Sequence, residues 1–157
     1  MHRRVIYGEF SKDEWKPLYS LESAKPVIER MKAEIDWTGY ELWVEGSILS
    51  DVLTHDIDLV VTGPLNVERI NQILTKQVQI GFEEGIYVDT KWSASNEVYD
   101  PTVYNTKTIR YAYYRPSIRV NGQTSHFATE YNGLYLKDVT HPRKKRNIEY
   151  KLPQKLI

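Results

Sequence analysis

The 157-residue chain has no cysteine. That excludes thiol nucleophiles, disulfide staples and cysteine-ligated metal sites. It also lacks long apolar runs: even the segment from Ile57 to Val61 is interrupted by Asp58, far short of the roughly 18 residues that span a bilayer. Met1-His2-Arg3-Arg4 leads straight into a strand-like segment, which is not the pattern of a signal peptide. No internal repeat or low-complexity linker interrupts the sequence. The expectation from these absences is a single soluble domain, residues 1–157, with no membrane partner and an intracellular, cytoplasmic setting. At this length a hydrophobic core suffices without crosslinks.

Net charge is also missing, with 21 Lys+Arg against 21 Asp+Glu, but the balance is not local. Residues 1–98 carry 10 basic and 17 acidic side chains, a net −7, and residues 99–157 carry 11 and 4, a net +7. An acidic part beside a basic part suggests a site that gathers cations next to a surface that attracts anions such as phosphates.

Periodicity predicts the elements. Arg4 to Phe10 alternates loosely, as a strand or docked arm, and Ser11 to Glu14 reads as a polar turn. Val27, Ile28, Met31 and Ile35 fall at helical spacing, with Pro26 suited to a first turn and Ser20 or Ser23 available as a cap. Tyr40 to Val44 reads as a strand ending at Glu45-Gly46-Ser47, followed by a helical turn from Ile48 to Leu53. Asp56 to Val61 is a strand closed by Thr62-Gly63-Pro64. Asn66 caps a second helix, whose stripe of Val67, Ile70, Ile73, Leu74 and Val78 ends near Gly81. Gly85 to Trp92 is a third strand. Beyond residue 93 the sequence is Tyr-rich and basic, with turn signals at Asn121-Gly122 and Asn132-Gly133. The expected fold is α/β: a core over about residues 20–92, built as a small mixed sheet with two helices on one face, and an extension over about 93–157 closing a cleft.

Two of these strands carry acids where apolar residues would pack better. Strand side chains at i and i+2 share a face with Cα atoms about 6.5 to 7 Å apart, so Asp56 and Asp58 converge. Paired carboxylates repel, and either a proton or a divalent cation relieves them. Oxygen ligands of this kind suit Mg²⁺ or Mn²⁺. Asp89, on a strand of similar texture, offers a third ligand. Gly46-Ser47 opens a turn where the backbone can approach an anion closely and free N–H groups can face it.

The succession Val44-Glu45-Gly46-Ser47, then Asp56-Ile57-Asp58-Leu59, then Val88-Asp89-Thr90 resembles the DNA polymerase beta-like nucleotidyltransferase superfamily over roughly residues 40 to 92. The resemblance implies transfer of a nucleoside monophosphate from a nucleoside triphosphate to a hydroxyl acceptor: an RNA or tRNA end, a protein or a small molecule. Carried over by position, it makes Asp56, Asp58 and Asp89 the catalytic metal ligands, and Gly46 and Ser47 the grip on the β and γ phosphates. The turn after Ser47 is similar to that of tRNA nucleotidyltransferases, with Ser50 where those carry an arginine.

Lys91 lies two residues after Asp89 on the same face and can neutralise a phosphate. Asp89-Thr90-Lys91 also resembles the Asp-x-Lys element of restriction-type nucleases, in which Asp58, Asp89 and Lys91 would cut a nucleic acid. A noncatalytic nucleotide- or nucleic-acid-binding module is the further alternative. Arg110, Arg115, Arg143, Lys144, Lys145 and Arg146 are candidate acceptor-binding cations, the first two interleaved with tyrosines that can stack on bases. His55 is a candidate neighbour of the first acid. The other downstream histidines lack metal-ligand spacing.

Overall fold

The alternating Val5–Tyr7 segment forms β1, and the helical spacing around Val27 becomes α1 (Lys25–Glu34) with Pro26 in its first turn. The computed structural model describes residues 5–7, 15–50, 53–94, 109–116, 118–120, 123–127, 133–139, 144–145, 148–149 and 153–157. The expected Ser11 to Glu14 turn lies outside them. Neither expected serine caps α1. Ala24 occupies the N-cap, while the Ser23 hydroxyl accepts from the Tyr19 and Ser20 N–H groups and donates to the Ser20 carbonyl. Its bonding capacity serves the turn that precedes the helix.

β2 (Glu41–Glu45) passes through Gly46 into a short 3-10 turn (Ser47–Ser50), and β3 (Asp56–Thr62) follows. The turn is shorter than the expected span to Leu53, whose residues 51 and 52 are outside the described set. α2 (Val67–Glu84) begins as predicted, with the Asn66 side chain accepting from the Arg69 N–H at 3.1 Å. It does not end at Gly81. The left-handed residue that terminates it is Gly85, φ 74°, as a C-terminal glycine cap requires. Gly81 serves packing instead: a Cβ there would meet Val88 Cγ2 at 2.4 Å and the Ile86 carbonyl at 2.7 Å. Its absence lets α2 lie close against β4 (Tyr87–Ser93).

The remaining strands are β5 (Ile109–Arg115), β6 (Ile118–Val120), β7 (Gln123–Phe127), β8 (Gly133–Val139), β9 (Lys144–Lys145), β10 (Ile148–Glu149) and β11 (Gln154–Lys155). Among the described residues the main sheet has six strands, in the order β11-β2-β3-β4-β5-β8. β3 and β4 are parallel, joined by the α2 crossover, and every other pair is antiparallel. The architecture of the described residues is thus a mixed α/β sheet with two α-helices. β6 and β7 pair with Val120 opposite Gln123, as expected of a hairpin at Asn121-Gly122, and β7 also pairs with β1; the turn itself lies outside the described residues. Gly133, φ 109°, opens β8. Three strands of the segment expected as an extension, β5, β8 and β11, belong to the main sheet.

The alternation of each strand divides the sheet into two faces. Leu42, Val44, Ile57, Leu59, Val61, Val88 and Trp92 join one core with Val27, Ile28 and Met31 of α1 and Ile70, Ile73, Leu74 and Val78 of α2. Each such aliphatic side chain contributes about 1.5–3 kcal/mol of transfer free energy. Gln77, fully buried on α2, accepts the Thr90 hydroxyl at 2.7 Å, so its burial does not orphan the amide oxygen. No helix among the described residues is long and apolar enough to cross a membrane. With one face committed to α1 and α2, the acids of β3 and β4 are turned to the other.

Candidate metal centre

Parallel pairing of β3 with β4 sets Asp58 directly opposite Asp89, and Asp56 opposite Tyr87. One carboxylate oxygen from each of Asp56, Asp58 and Asp89 lies within 4.8 Å of the others. Oxygens bound cis or trans to an octahedral Mg²⁺ at about 2.1 Å are about 3 to 4.2 Å apart, so a small contraction brings these three onto one ion. The donor set is hard oxygen throughout, which suits Mg²⁺ or Mn²⁺. The Thr54 hydroxyl donates to Asp56 Oδ1 at 2.7 Å and orients that carboxylate.

Burial, the charges of Asp56 and Asp89, the hydrogen bond with Asp89 and the charge of Glu45 together hold the Asp58 carboxyl well above the usual carboxylate range. Like charges gathered at one place favour a neutral member. A divalent cation offers the same relief without a proton.

Gly46 is built against this cluster. Its φ is 88°, and a Cβ at that position would meet Asp58 Oδ2 at 2.4 Å. The residue before Ser47 is therefore glycine for two reasons, a left-handed backbone and the room that Asp58 occupies. Ser47 follows as the first residue of the 3-10 turn, half-buried.

Among the described residues, two cations flank the acids. Arg115 Nη1 lies 2.6 Å from Asp89 Oδ1, with both side chains largely buried. Lys91 Nζ lies 3.8 Å from Glu45 Oε2 and 5.4 Å from the centre of the Tyr113 ring. Glu45 was not among the residues the sequence pointed to. It stands opposite Asp58 in the β2–β3 register, so Glu45, Asp58 and Asp89 form one row across three strands. The signal for it was present: in Glu41-Leu42-Trp43-Val44-Glu45 the apolar Leu42 and Val44 face the core, and strand alternation turns Glu45 toward the acids. With every acid ionised, the four carboxylates and two cations sum to a formal −2.

Of the candidate acceptor-binding residues, Arg115 is located at the acid cluster. Arg110 stands in β5, and Lys144 and Lys145 form β9, each described by its backbone alone. Arg143 and Arg146 lie outside the described residues. His55 is half-buried beside Asp56 in sequence. Comparison with known proteins found no family model, no curated protein and no solved structure that matches this chain.

Proposed function

We propose that the protein is a metal-dependent nucleotidyltransferase that moves a nucleoside monophosphate from a nucleoside triphosphate to a hydroxyl acceptor. The observation that carries this reading is the gathering of Asp56, Asp58 and Asp89 on adjacent parallel strands, with Gly46 packed on Asp58. Asp56, Asp58 and Asp89 would hold Mg²⁺ or Mn²⁺, which when bound lowers the pKa of the acceptor hydroxyl and neutralises phosphate charge. The acceptor oxygen bonds to the α-phosphorus as the bond to the bridging oxygen breaks, and pyrophosphate leaves with that electron pair. Asp89 receives the acceptor proton. The backbone at Gly46 and Ser47 grips the β and γ phosphates, and Lys91 neutralises one of them.

Lys91 supports this reading over chain cleavage. Its ammonium is paired with Glu45 and lies over Tyr113, the bearing of a fixed cation rather than an activator of water. The acceptor is a hydroxyl of an RNA or tRNA end, a protein or a small molecule, and the reading implies a cytoplasmic protein, where the triphosphate donor is abundant. The test is transfer of label from α-labelled nucleoside triphosphates, with Mg²⁺ or Mn²⁺, onto RNA and protein acceptors. Transfer abolished by D56A/D58A supports the proposal, and absence of any transfer by the unaltered chain refutes it.

A further inference from the structure

We infer that Glu45 is a positioning residue that fixes the Lys91 ammonium as a phosphate contact, an inference that rests on the nucleotidyltransferase reading. A carboxylate next to a triphosphate site should be harmful, since it repels the same phosphates that the metal must attract. Glu45 nevertheless sits at the last position of β2, immediately before Gly46 and Ser47, with its side chain only 10% exposed. Burying an anion there is costly unless it is compensated.

Its geometry supplies the compensation and the use. Lys91 Nζ is 3.8 Å from Glu45 Oε2, and its side chain is 14% exposed. A lysine left to itself is a flexible four-carbon stem that spreads its charge over many rotamers. Here Glu45 draws the ammonium from one side while the Tyr113 ring lies 5.4 Å away, in the range where a ring face attracts a cation. The ammonium is thereby restrained toward the strand from which the Gly46-Ser47 turn departs. Lys91 and Asp89 are two residues apart on one face of β4, so the fixed cation and the third acid share that face. The acid and the base act as a unit: Glu45 sets where Lys91 is, and Lys91 screens Glu45.

The expected effect of losing Glu45 is opposite in sign to simple electrostatics. Removing a negative charge near a phosphate site should tighten anion binding. Removing an anchor should loosen it. The probe is inorganic tripolyphosphate titrated in the presence of Mn²⁺, which reads the phosphate contact without any base or acceptor. E45Q and K91M should each weaken tripolyphosphate binding about tenfold, and E45Q/K91M no more than either alone, because both remove one unit. E45D, which keeps the charge on a shorter arm, should recover part of the loss. Mn²⁺ affinity of K91M measured without tripolyphosphate should not weaken, since a cation beside the acids is removed, whereas a general loss of structure would weaken it. Equal or tighter tripolyphosphate binding by E45Q overturns the inference and leaves the nucleotidyltransferase reading standing, as does an additive double variant. If the unaltered chain shows no Mn²⁺-dependent tripolyphosphate binding, both fall.

Discussion

The contact between Gly46 and Asp58 allows the cluster to be perturbed without touching a carboxylate. In G46A the new Cβ would stand 2.4 Å from Asp58 Oδ2 and 3.3 Å from its Cγ, so the carboxylate must swing away. The backbone also pays for a left-handed alanine at φ 88°, about 1–2 kcal/mol. Gly39 offers a control with the same backbone cost: its φ is 84°, and nothing lies within 4 Å of the position its Cβ would take. G39A and G46A should therefore lose similar stability in urea denaturation, about 1–2 kcal/mol each. Stability is the blunt reading, because Asp58 is already unfavourably placed among like charges and its departure relieves some repulsion. Metal affinity is the sharp one. Displacing a ligand through its neighbour costs about 10–100-fold in affinity, so Mn²⁺ titration followed by electron paramagnetic resonance should show that loss in G46A and none in G39A. Equal Mn²⁺ affinity in the two variants would refute the claim that Gly46 shapes the cluster.

Arg115 occupies Asp89 at 2.6 Å, and a divalent ion needs the same carboxylate. R115Q should bind Mn²⁺ several-fold more tightly than the unaltered chain while losing about 3 kcal/mol of metal-free stability; unchanged or weaker Mn²⁺ affinity counts against the shared ligand. The raised Asp58 pKa fixes a second sign. Between the ordinary value of 3.8 and its raised native value, the folded chain holds a proton that the unfolded chain has released. Metal-free stability from this group therefore falls as pH rises through that window. D58N should remove the slope and Mn²⁺ should flatten it; a metal-free slope unaltered by D58N would show that other groups set it. In the core, T90V leaves the buried Gln77 amide oxygen without its 2.7 Å donor and should cost about 1–3 kcal/mol. Q77L/T90V should restore most of that loss in the same denaturation assay, and a double variant less stable than T90V would argue against the pair.

How much of this was legible depended on whether the signal was local. Helix α2 announced itself through Asn66 and its apolar stripe, and the three acids stood out because each interrupts a strand that otherwise buries its residues. The wrong terminus for α2 has a clear cause. Gly81 and Gly85 look alike in sequence, and only the approach of Val88 and Ile86 to Gly81 separates a packing glycine from a capping one. Ser23 failed as a cap for a similar reason: a preceding turn competed for its hydroxyl. Glu45 escaped notice because its importance comes from register. Nothing in the sequence states that β2 pairs with β3 so that residue 45 meets residue 58. Arg115 stands out in sequence only as a candidate acceptor contact; its pairing with Asp89 is hidden for the same reason across a longer separation, since it depends on β5 lying beside β4.

Those pairings also alter the meaning of the charge asymmetry between the two parts of the chain. In doubly wound sheets, ligands usually sit beyond the carboxyl ends of parallel strands, where helix N-termini help bind anions. Asp58 and Asp89 instead occupy the third of seven positions in β3 and β4, on the face away from α1 and α2. Among the described residues neither helix N-terminus serves that face, and the positive charge there comes from side chains on neighbouring strands. Lys91 comes from the acidic part, but Arg115 comes from the basic part and is committed to Asp89. Lys155, also from the basic part, pairs with Glu41 at 2.8 Å. The opposed charges are thus partly internal counter-ions. A polyanionic acceptor would meet only what remains of the +7, and its binding should depend on salt less steeply than that number suggests.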